Sequence, residues 1–254
     1  MKRFILLSFD VEEFDTPLEY HHPIDLDEQL EIGYKGTKEI ALLLNQHNIT
    51  STLFTTANYA EHFSDQIKEL SAHHEIASHT FYHSSFKNED LLTSRLKLEE
   101  ICGKKITGLR MPRMRKVEMV EVYKAGYQYD SSVHPTFIPG RYNNLHLPRT
   151  SYMEDGVKRL PASVSPNLRI PLFWLSFKNF PYHLFKTIAL NTLRKDGYIC
   201  LYFHPWEFTD HSKFKMPAFV KRHSGEALLN RLNKLIKDLK NEAEFITIHS
   251  FLQQ

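Results

Sequence analysis

The stretch Ala77–His83, with the sequence ASHTFYH, begins at the end of a short segment predicted to be a β-strand. It contains two histidines, His79 and His83, four residues apart. On a helical turn, this spacing brings both imidazoles to one side of the chain. A divalent metal requires that arrangement from its first two protein ligands. The chain has 15 histidines among 254 residues, so the spacing also arises by chance. The pair becomes informative only through the residues that other segments bring to it.

Length and composition are those of a globular protein. At 254 residues the chain suits one α/β barrel-like domain or two small domains. Hydrophobic residues make up 42% and charged residues 24%, and the net charge is +2. The densest basic patch is the short run 221–223, which gives no case for a nucleic-acid partner. Cys102 and Cys200 form no CxxC pattern, and we expect reduced, buried thiols.

The N-terminal apolar run, residues 4–9, ends at Asp10 without the small-residue cleavage site of a signal peptide. A buried strand is therefore the better interpretation. No segment of the sequence approaches the ~20 apolar residues of a membrane span. We expect a cytoplasmic protein without a transmembrane segment.

Predicted strands and helices alternate along the chain, which is typical of parallel strands joined by crossover helices. The predicted strands are residues 4–9, 51–55, 74–78, 106–109, 127–130, 198–203 and 244–248. A polar loop, residues 12–31, is predicted before a helix that begins at about Thr37. The proline-rich residues 131–171 interrupt the alternation and are predicted to form a long ordered excursion. Since no linker or repeat is evident, we predict a single α/β domain over residues 1–254.

Polar side chains follow five of the predicted strands at their carboxyl ends, where parallel α/β folds gather functional groups. They are Asp10 and Glu12, then His79 and His83, then Arg110, Asp130 and His204. Each alone could be a cap, a solvated loop residue or half of a surface ion pair. Five such coincidences favour an active site.

The chemistry of this set indicates metal-assisted hydrolysis. Two neutral imidazoles and a carboxylate make three ligands and leave positions for water and substrate. A second carboxylate could accept the proton of the water, and a histidine on the opposite wall could protonate a departing amine. The metal and backbone N–H groups would stabilise the oxyanion.

In their order along the chain, these residues resemble the motifs of the polysaccharide deacetylase family (NodB homology, carbohydrate esterase family 4). The resemblance runs from Phe4 to about Glu207, and its second motif is matched in full. The five motifs are SFDVEE at 8–13, HTFYH at 79–83, RMPR at 110–113, YDSS at 129–132 and LYFH at 201–204. The resemblance implies an α/β fold, a distorted (β/α) barrel of about seven parallel strands of the NodB-homology type. It also implies metal-dependent removal of acetyl groups from N-acetylated sugars.

The resemblance also implies catalytic roles for individual residues. Asp10 would be the general base, and Arg110 would hold it in place. His204 would be the general acid, and Asp130 would raise the pKa of His204 as a neighbouring carboxylate should. The backbone N–H of Arg113 would contribute to the oxyanion site.

The metal ligands implied by the resemblance are His79 and His83, but the aspartate that usually joins them is Val11 here. Because residues two apart on a strand point to the same side, Glu12 lies on the face of Asp10. We predict Glu12 as the third ligand; the alternatives are Asp10 binding the metal itself and a site without metal. His and carboxylate ligands suit Zn²⁺, and Co²⁺, Mn²⁺ or Ni²⁺ could also bind.

Aromatic and polar residues near the motifs have two interpretations each. Trp206 either packs at the rim or stacks on a sugar. Glu207 either caps a helix or hydrogen-bonds the substrate, and Tyr82 either lines the cleft or packs beneath the metal. Trp174 is expected in the core or a lid.

The motifs Asp-Val-Glu near the start and His-Pro-Trp-Glu near the end resemble those of a subgroup associated with bacterial exopolysaccharide and cell-surface glycan biosynthesis. The resemblance therefore implies a deacetylase acting on an N-acetylated sugar in such a glycan or its precursor. One alternative is a hydrolase that cleaves another C–N bond without metal. The other is a non-catalytic glycan-binding relative.

Overall fold

A curled, mostly parallel β-sheet forms a half-barrel at the centre of the molecule in the computed structural model, which describes residues 2–254. The strands are β1 (Phe4–Val11), β2 (Thr52–Thr55), β3 (Glu75–Ser78), β4 (Gly108–Leu109), β5 (Tyr129–Asp130), β6 (Phe137–Ile138), β7 (Tyr142–Asn143), β8 (Tyr152–Glu154), β9 (Val157–Arg159), β10 (Tyr198–Phe203) and β11 (Glu244–Phe245). Within the described residues, nine strands share the main sheet, in the order β10-β1-β2-β3-β4-β5-β9-β8, with β11 beside the start of β1. The α/β barrel-like prediction is confirmed, and all seven predicted strands are present.

The excursion at residues 131–171 is part of the barrel wall. β9 extends the parallel sheet beside β5, and β8 pairs with β9 in an antiparallel hairpin. Residues 160–173 then cross the gap between β9 and β10. The backbone N–H of Ala162 donates to the Val133 carbonyl at 2.8 Å, and that of Ser163 donates to the Cys200 carbonyl at 3.0 Å. Irregular backbone therefore completes the wall where no regular strand continues.

Helices pack around the outside of the sheet. They are α1 (Leu26–His47), α2 (Ala57–His62), α3 (Ser64–Ser71), α4 (Glu89–Cys102), α5 (Met119–Lys124), α6 (Trp174–Asn179), α7 (Tyr182–Asp196), α8 (Ala218–Lys221), α9 (Glu226–Lys240) and α10 (Ile248–Leu252). Over the part of the chain that the structure describes, none of these helices is long and apolar enough to span a membrane.

Helix α1 begins about three turns earlier than predicted, so the polar loop is shorter than 12–31. The Asp25 side chain accepts the backbone N–H of Glu28 at 2.8 Å and caps the helix. Two glycines inside the helix weaken its local signal, but close packing requires them. A Cβ on Gly36 would lie 1.9 Å from the Pro205 carbonyl oxygen, and one on Gly33 would lie 2.7 Å from that of Glu12. The helix thus rests directly on two segments that carry site residues.

Side chains of β1 alternate between the two faces of the sheet, as a strand requires. Leu7, Phe9 and Val11 belong to the apolar core beneath the helices. Leu6 faces the barrel interior, on the same side as Asp10. This alternation turns Val11 into the core and leaves the next position, Glu12, directed toward the cavity.

Candidate active site

A cavity of about 360 Å³ lies at the carboxyl ends of the strands. Most of the predicted site residues meet there, because the ends of parallel strands share one edge of the sheet. The predicted residues that line it are Asp10, Glu12, His79, His83, Arg113, His204 and Trp206. Arg110 is buried directly behind Asp10.

His79 and His83 are presented by a loop rather than a helical turn. Thr80, between them, has a φ of 63°, in the left-handed region, which bends the chain after β3. The two imidazole planes stack at 18° with centroids 5.7 Å apart. His79 Nδ1 lies 2.8 Å from the Arg110 carbonyl, and His83 Nδ1 lies 2.8 Å from Asp15 Oδ1. Since both partners only accept, each Nδ1 carries a proton, and Nε2 is the atom of each ring that would present a lone pair to a metal once deprotonated.

Both Nε2 atoms point at Glu12. Glu12 Oε2 lies 3.0 Å from His79 Nε2 and 3.2 Å from His83 Nε2. Among residues 2–254, neither Glu12 Oε2 nor His79 Nε2 has a hydrogen-bond partner, although both are buried. A carboxylate oxygen and imidazole nitrogens that face one another in the interior need either a proton or a bound cation between them. One ligand atom from each of the three residues lies within 4.8 Å of the others, so the donor set fits a divalent metal.

The charges around this cluster favour a cation. Burial lowers the pKa of His83, but the carboxylates of Glu12 and Asp15 outweigh it and raise the pKa to about 9. Burial raises the pKa of Glu12, but the imidazoles of His83 and His204 hold it well below its usual range. Glu12 is therefore ionised and available as a ligand. Asp15, which fixes His83, is a site residue that no local sequence pattern indicated.

Asp10 is held by a buried guanidinium. Arg110 Nη1 donates to Asp10 Oδ1 at 2.6 Å and to Ser8 Oγ at 3.0 Å, and Nη2 donates to Ser131 Oγ at 3.0 Å. Arg110 is fully buried and Asp10 is 3% exposed. The Arg110 guanidinium also lies 4.0 Å from the ring centroid of Phe54. The pair fixes the Asp10 carboxylate at the cavity floor.

His204 faces Asp10 across the cavity. Its Nε2 lies 3.9 Å from Asp10 Oδ2, and its Nδ1 lies 3.0 Å from Glu207 Oε1. Glu207 Oε2 in turn lies 3.2 Å from Lys178 Nζ, and both residues are fully buried. Burial lowers the pKa of His204, but the carboxylates of Glu12, Glu207 and Asp10 outweigh it and raise the pKa above its usual value.

The prediction that Asp130 raises the pKa of His204 is wrong. Asp130 is fully buried, and its Oδ1 lies 2.8 Å from Arg159 Nε on the neighbouring strand. Its Oδ2 accepts the Ser132 hydroxyl. The carboxylate in contact with His204 is that of Glu207, because the turn after β10 brings Glu207 back onto the imidazole.

Two residues predicted as substrate contacts, Glu207 and Tyr82, are not among the described residues that line the cavity. Both carboxylate oxygens of Glu207 are engaged inside the protein, where Oε1 also accepts the His204 backbone N–H at 2.8 Å. Glu207 is therefore a cap and an anchor for His204. Tyr82 is 44% exposed, packs on Phe81 at 4.8 Å and is absent from the described residues that line the cavity. The bend at Thr80 carries it outward.

Arg113 and the tryptophans complete the walls. Arg113 has a φ of 56°, and its side chain reaches Asp15 at 2.9 Å and Glu19 at 2.5 Å. Trp206 is 2% exposed and donates from Nε1 to Glu12 Oε1 at 3.0 Å. Trp174, which was expected in the core or a lid, lines the cavity with its centroid 5.2 Å from that of His204.

The Glu207 contact predicts a pH effect. His204 acts as an acid only while protonated, so activity is present below its pKa and falls as pH rises through that value. Glu207→Gln removes a carboxylate that raises this pKa, so the basic limb of the kcat/KM profile is expected to move to lower pH. Glu118→Gln, at an exposed carboxylate, is the control. An unmoved limb in Glu207→Gln would contradict the assignment.

Comparisons with known proteins agree with this architecture. Residues 29–129 match the family model described as polysaccharide deacetylase. That range contains His79, His83 and Arg110 and stops short of Asp10, Glu12 and His204. No curated protein matches the sequence.

Solved structures share the fold. A Mycobacterium smegmatis protein assigned by name to the polysaccharide deacetylases is 17% identical, with a TM-score of 0.65 over 98% of this chain and 88% of its own. The Bc1960 peptidoglycan N-acetylglucosamine deacetylase is 18% identical, with a TM-score of 0.54 over 98% and 87%. BA3943, a carbohydrate esterase family 4 pseudoenzyme from Bacillus anthracis, is 10% identical, with a TM-score of 0.54 over 98% of this chain and 65% of its own. The chain is thus similar to polysaccharide deacetylases in the sequence of residues 29–129 and in its half-barrel fold.

Proposed function

We propose that this chain removes an acetyl group from an N-acetylated sugar with a divalent metal held by Glu12, His79 and His83. The observation that carries the proposal is the buried, unsatisfied pair formed by Glu12 Oε2 and His79 Nε2. It opens into the same cavity as Asp10 and His204. A bound metal, most readily Zn²⁺, would supply Lewis-acid polarisation of the acetyl carbonyl and of water.

The remaining steps belong to side chains of this chain. Asp10, held in place by Arg110, accepts the proton of the attacking water. His204, whose Nδ1–H is held by Glu207, directs Nε2 into the cavity and donates a proton to the departing sugar amine. The carboxylates around it raise its pKa, which favours the protonated form that an acid needs. The proposed acid and base open into the same cavity, with Nε2 and Oδ2 3.9 Å apart.

The proposed substrate is an acetylated sugar within a cell-surface glycan or its precursor. A cavity of about 360 Å³ suits a small ligand of this size. Its walls combine the aromatic side chains of Phe173 and Trp174 with the polar cluster. This composition matches a sugar, which has apolar faces and polar edges. Bc1960, which shares the fold, is a deacetylase of N-acetylglucosamine in peptidoglycan, in line with this substrate class.

Release of free acetate tests the proposal. The purified chain, incubated with N-acetylglucosamine oligosaccharides, is expected to release acetate, to lose this activity on chelation and to regain it with Zn²⁺ or Co²⁺. If a preparation that elemental analysis shows to be free of metal still turns over the substrate at the full rate, the alternative of a metal-independent hydrolase is favoured. If the metal-loaded protein binds the glycan without releasing acetate, the alternative of a non-catalytic glycan-binding relative is favoured.

A further inference from the structure

The indole of Trp206 joins the metal cluster to the proposed acid. Its Nε1–H donates to Glu12 Oε1 at 3.0 Å. Its ring stacks on the imidazole of His204, with centroids 4.9 Å apart and planes 20° apart. Phe14 packs against the ring at 4.9 Å and His211 at 5.4 Å. Because Trp206 is only 2% exposed, its faces are occupied by protein and are not available to a sugar.

The two oxygens of Glu12 have separate tasks. Oε1 is engaged by the indole, whereas Oε2 lies 3.0 and 3.2 Å from the Nε2 atoms of His79 and His83. An indole N–H can only donate a hydrogen bond and a carboxylate can only accept one, so Trp206 is the donor and Glu12 the acceptor in this contact. Fixing Oε1 also fixes the direction in which Oε2 points.

A glutamate at this position needs such a restraint. Its side chain has one more rotatable bond than aspartate, so more conformational freedom must be removed to hold the carboxylate still. Val11, the position where the family has its aspartate, is turned into the apolar core. The ligand must therefore come from a longer side chain at the next position, and the indole N–H is a donor placed at its far end.

Helix α1 fixes the spacing between the two partners. Gly36 lies against the Pro205 carbonyl, and Gly33 lies against the Glu12 carbonyl, so closely that a Cβ would fall 1.9 and 2.7 Å from these oxygens. The backbones on both sides of the Glu12–Trp206 hydrogen bond are therefore packed on one rigid helix. Because these two positions carry no side chain, α1 packs closely enough against both backbones to set the distance between Glu12 and Trp206.

We propose that Trp206 is a positioning residue of the metal site, whose indole N–H holds Glu12 in the orientation of a ligand. The inference rests on the proposed function, since it takes Glu12 as a ligand. Hydrogen-bond partners of metal ligands orient them, and their loss typically costs 10- to 100-fold in metal affinity.

Zinc affinity tests the inference without any assay of turnover. Trp206→Phe keeps an aromatic ring and removes the donor, and competition with a chromophoric chelator measures the Kd of the purified chain for zinc. We expect the Kd to rise about 10- to 100-fold. Trp174→Phe is the matched control, because Trp174 contacts His204 but does not donate to Glu12, and its Kd should equal that of the unaltered chain. An unchanged Kd in Trp206→Phe would overturn the inference and leave the proposed function standing.

A second measurement does not depend on the folding of Trp206→Phe. The chain has two tryptophans, so Trp174→Phe leaves Trp206 as its only one. Zinc is expected to change the fluorescence of Trp206, with saturation at the concentration that the competition experiment gives. Zinc binding without any change in this emission would overturn the inference. If the unaltered chain binds no zinc, the proposed function fails and the inference fails with it.

Discussion

Asp10→Asn is expected to lower kcat by about 10²–10⁴-fold, the usual contribution of a general base, and to leave zinc affinity unchanged. Asparagine has nearly the shape of aspartate but accepts no proton from water. Asp10 also lies on the Arg110 side of the cavity, where its Oδ1 is engaged at 2.6 Å. The histidine Nε2 atoms converge on Glu12 instead. The variant therefore separates the role of a base from that of a ligand.

Acetate release and chelator competition on the same preparation give the two quantities. Asp65→Asn, at an exposed aspartate of α3, is the matched control and should retain turnover. A loss of zinc affinity in Asp10→Asn would show that Asp10 is itself a ligand. Full turnover in the variant would remove the assigned base.

Arg110→Met is expected to give the largest loss of stability, about 3–5 kcal/mol in the free energy of unfolding. The guanidinium is fully buried and makes hydrogen bonds with Asp10, Ser8 and Ser131. Methionine fills part of the volume but leaves the Asp10 carboxylate buried without its counter-charge. Urea denaturation monitored by circular dichroism measures the change.

A double variant tests the charge explanation. Asp10→Asn combined with Arg110→Met removes the uncompensated charge, so it should be more stable than Arg110→Met alone. Lys35→Met, which breaks an exposed pair with Glu31, is the control and should change stability little. A double variant no more stable than Arg110→Met would show that lost packing, rather than the carboxylate charge, accounts for the effect.

The strands and the active-site rim were predictable because their signals are local. The run from Phe4 to Phe9 is apolar on both faces, and polar residues follow at its carboxyl end. The period of two along β1 is enough to place Glu12 on the side of Asp10 and Val11 on the other. The site residues that could be predicted from the sequence are therefore those that directly follow the ends of strands.

Contacts between distant segments could not be predicted in this way. Asp15 reaches His83, and Lys178 reaches Glu207, only through the packing of irregular segments. Nothing in the local sequence distinguishes Glu207 from Asp130 as the carboxylate partner of His204. The early part of α1 was not predicted because its glycines weaken the helical pattern. These glycines are needed for a close tertiary contact, which the local sequence does not reveal.

The position of the metal tests the central claim most directly. Crystals of the purified chain grown with zinc, measured above and below the zinc absorption edge, give an anomalous difference map of the cavity. The account predicts one peak between His79 Nε2, His83 Nε2 and a carboxylate oxygen of Glu12. A peak bound to Asp10 instead of Glu12, or a cavity without a peak in catalytically active crystals, would contradict it.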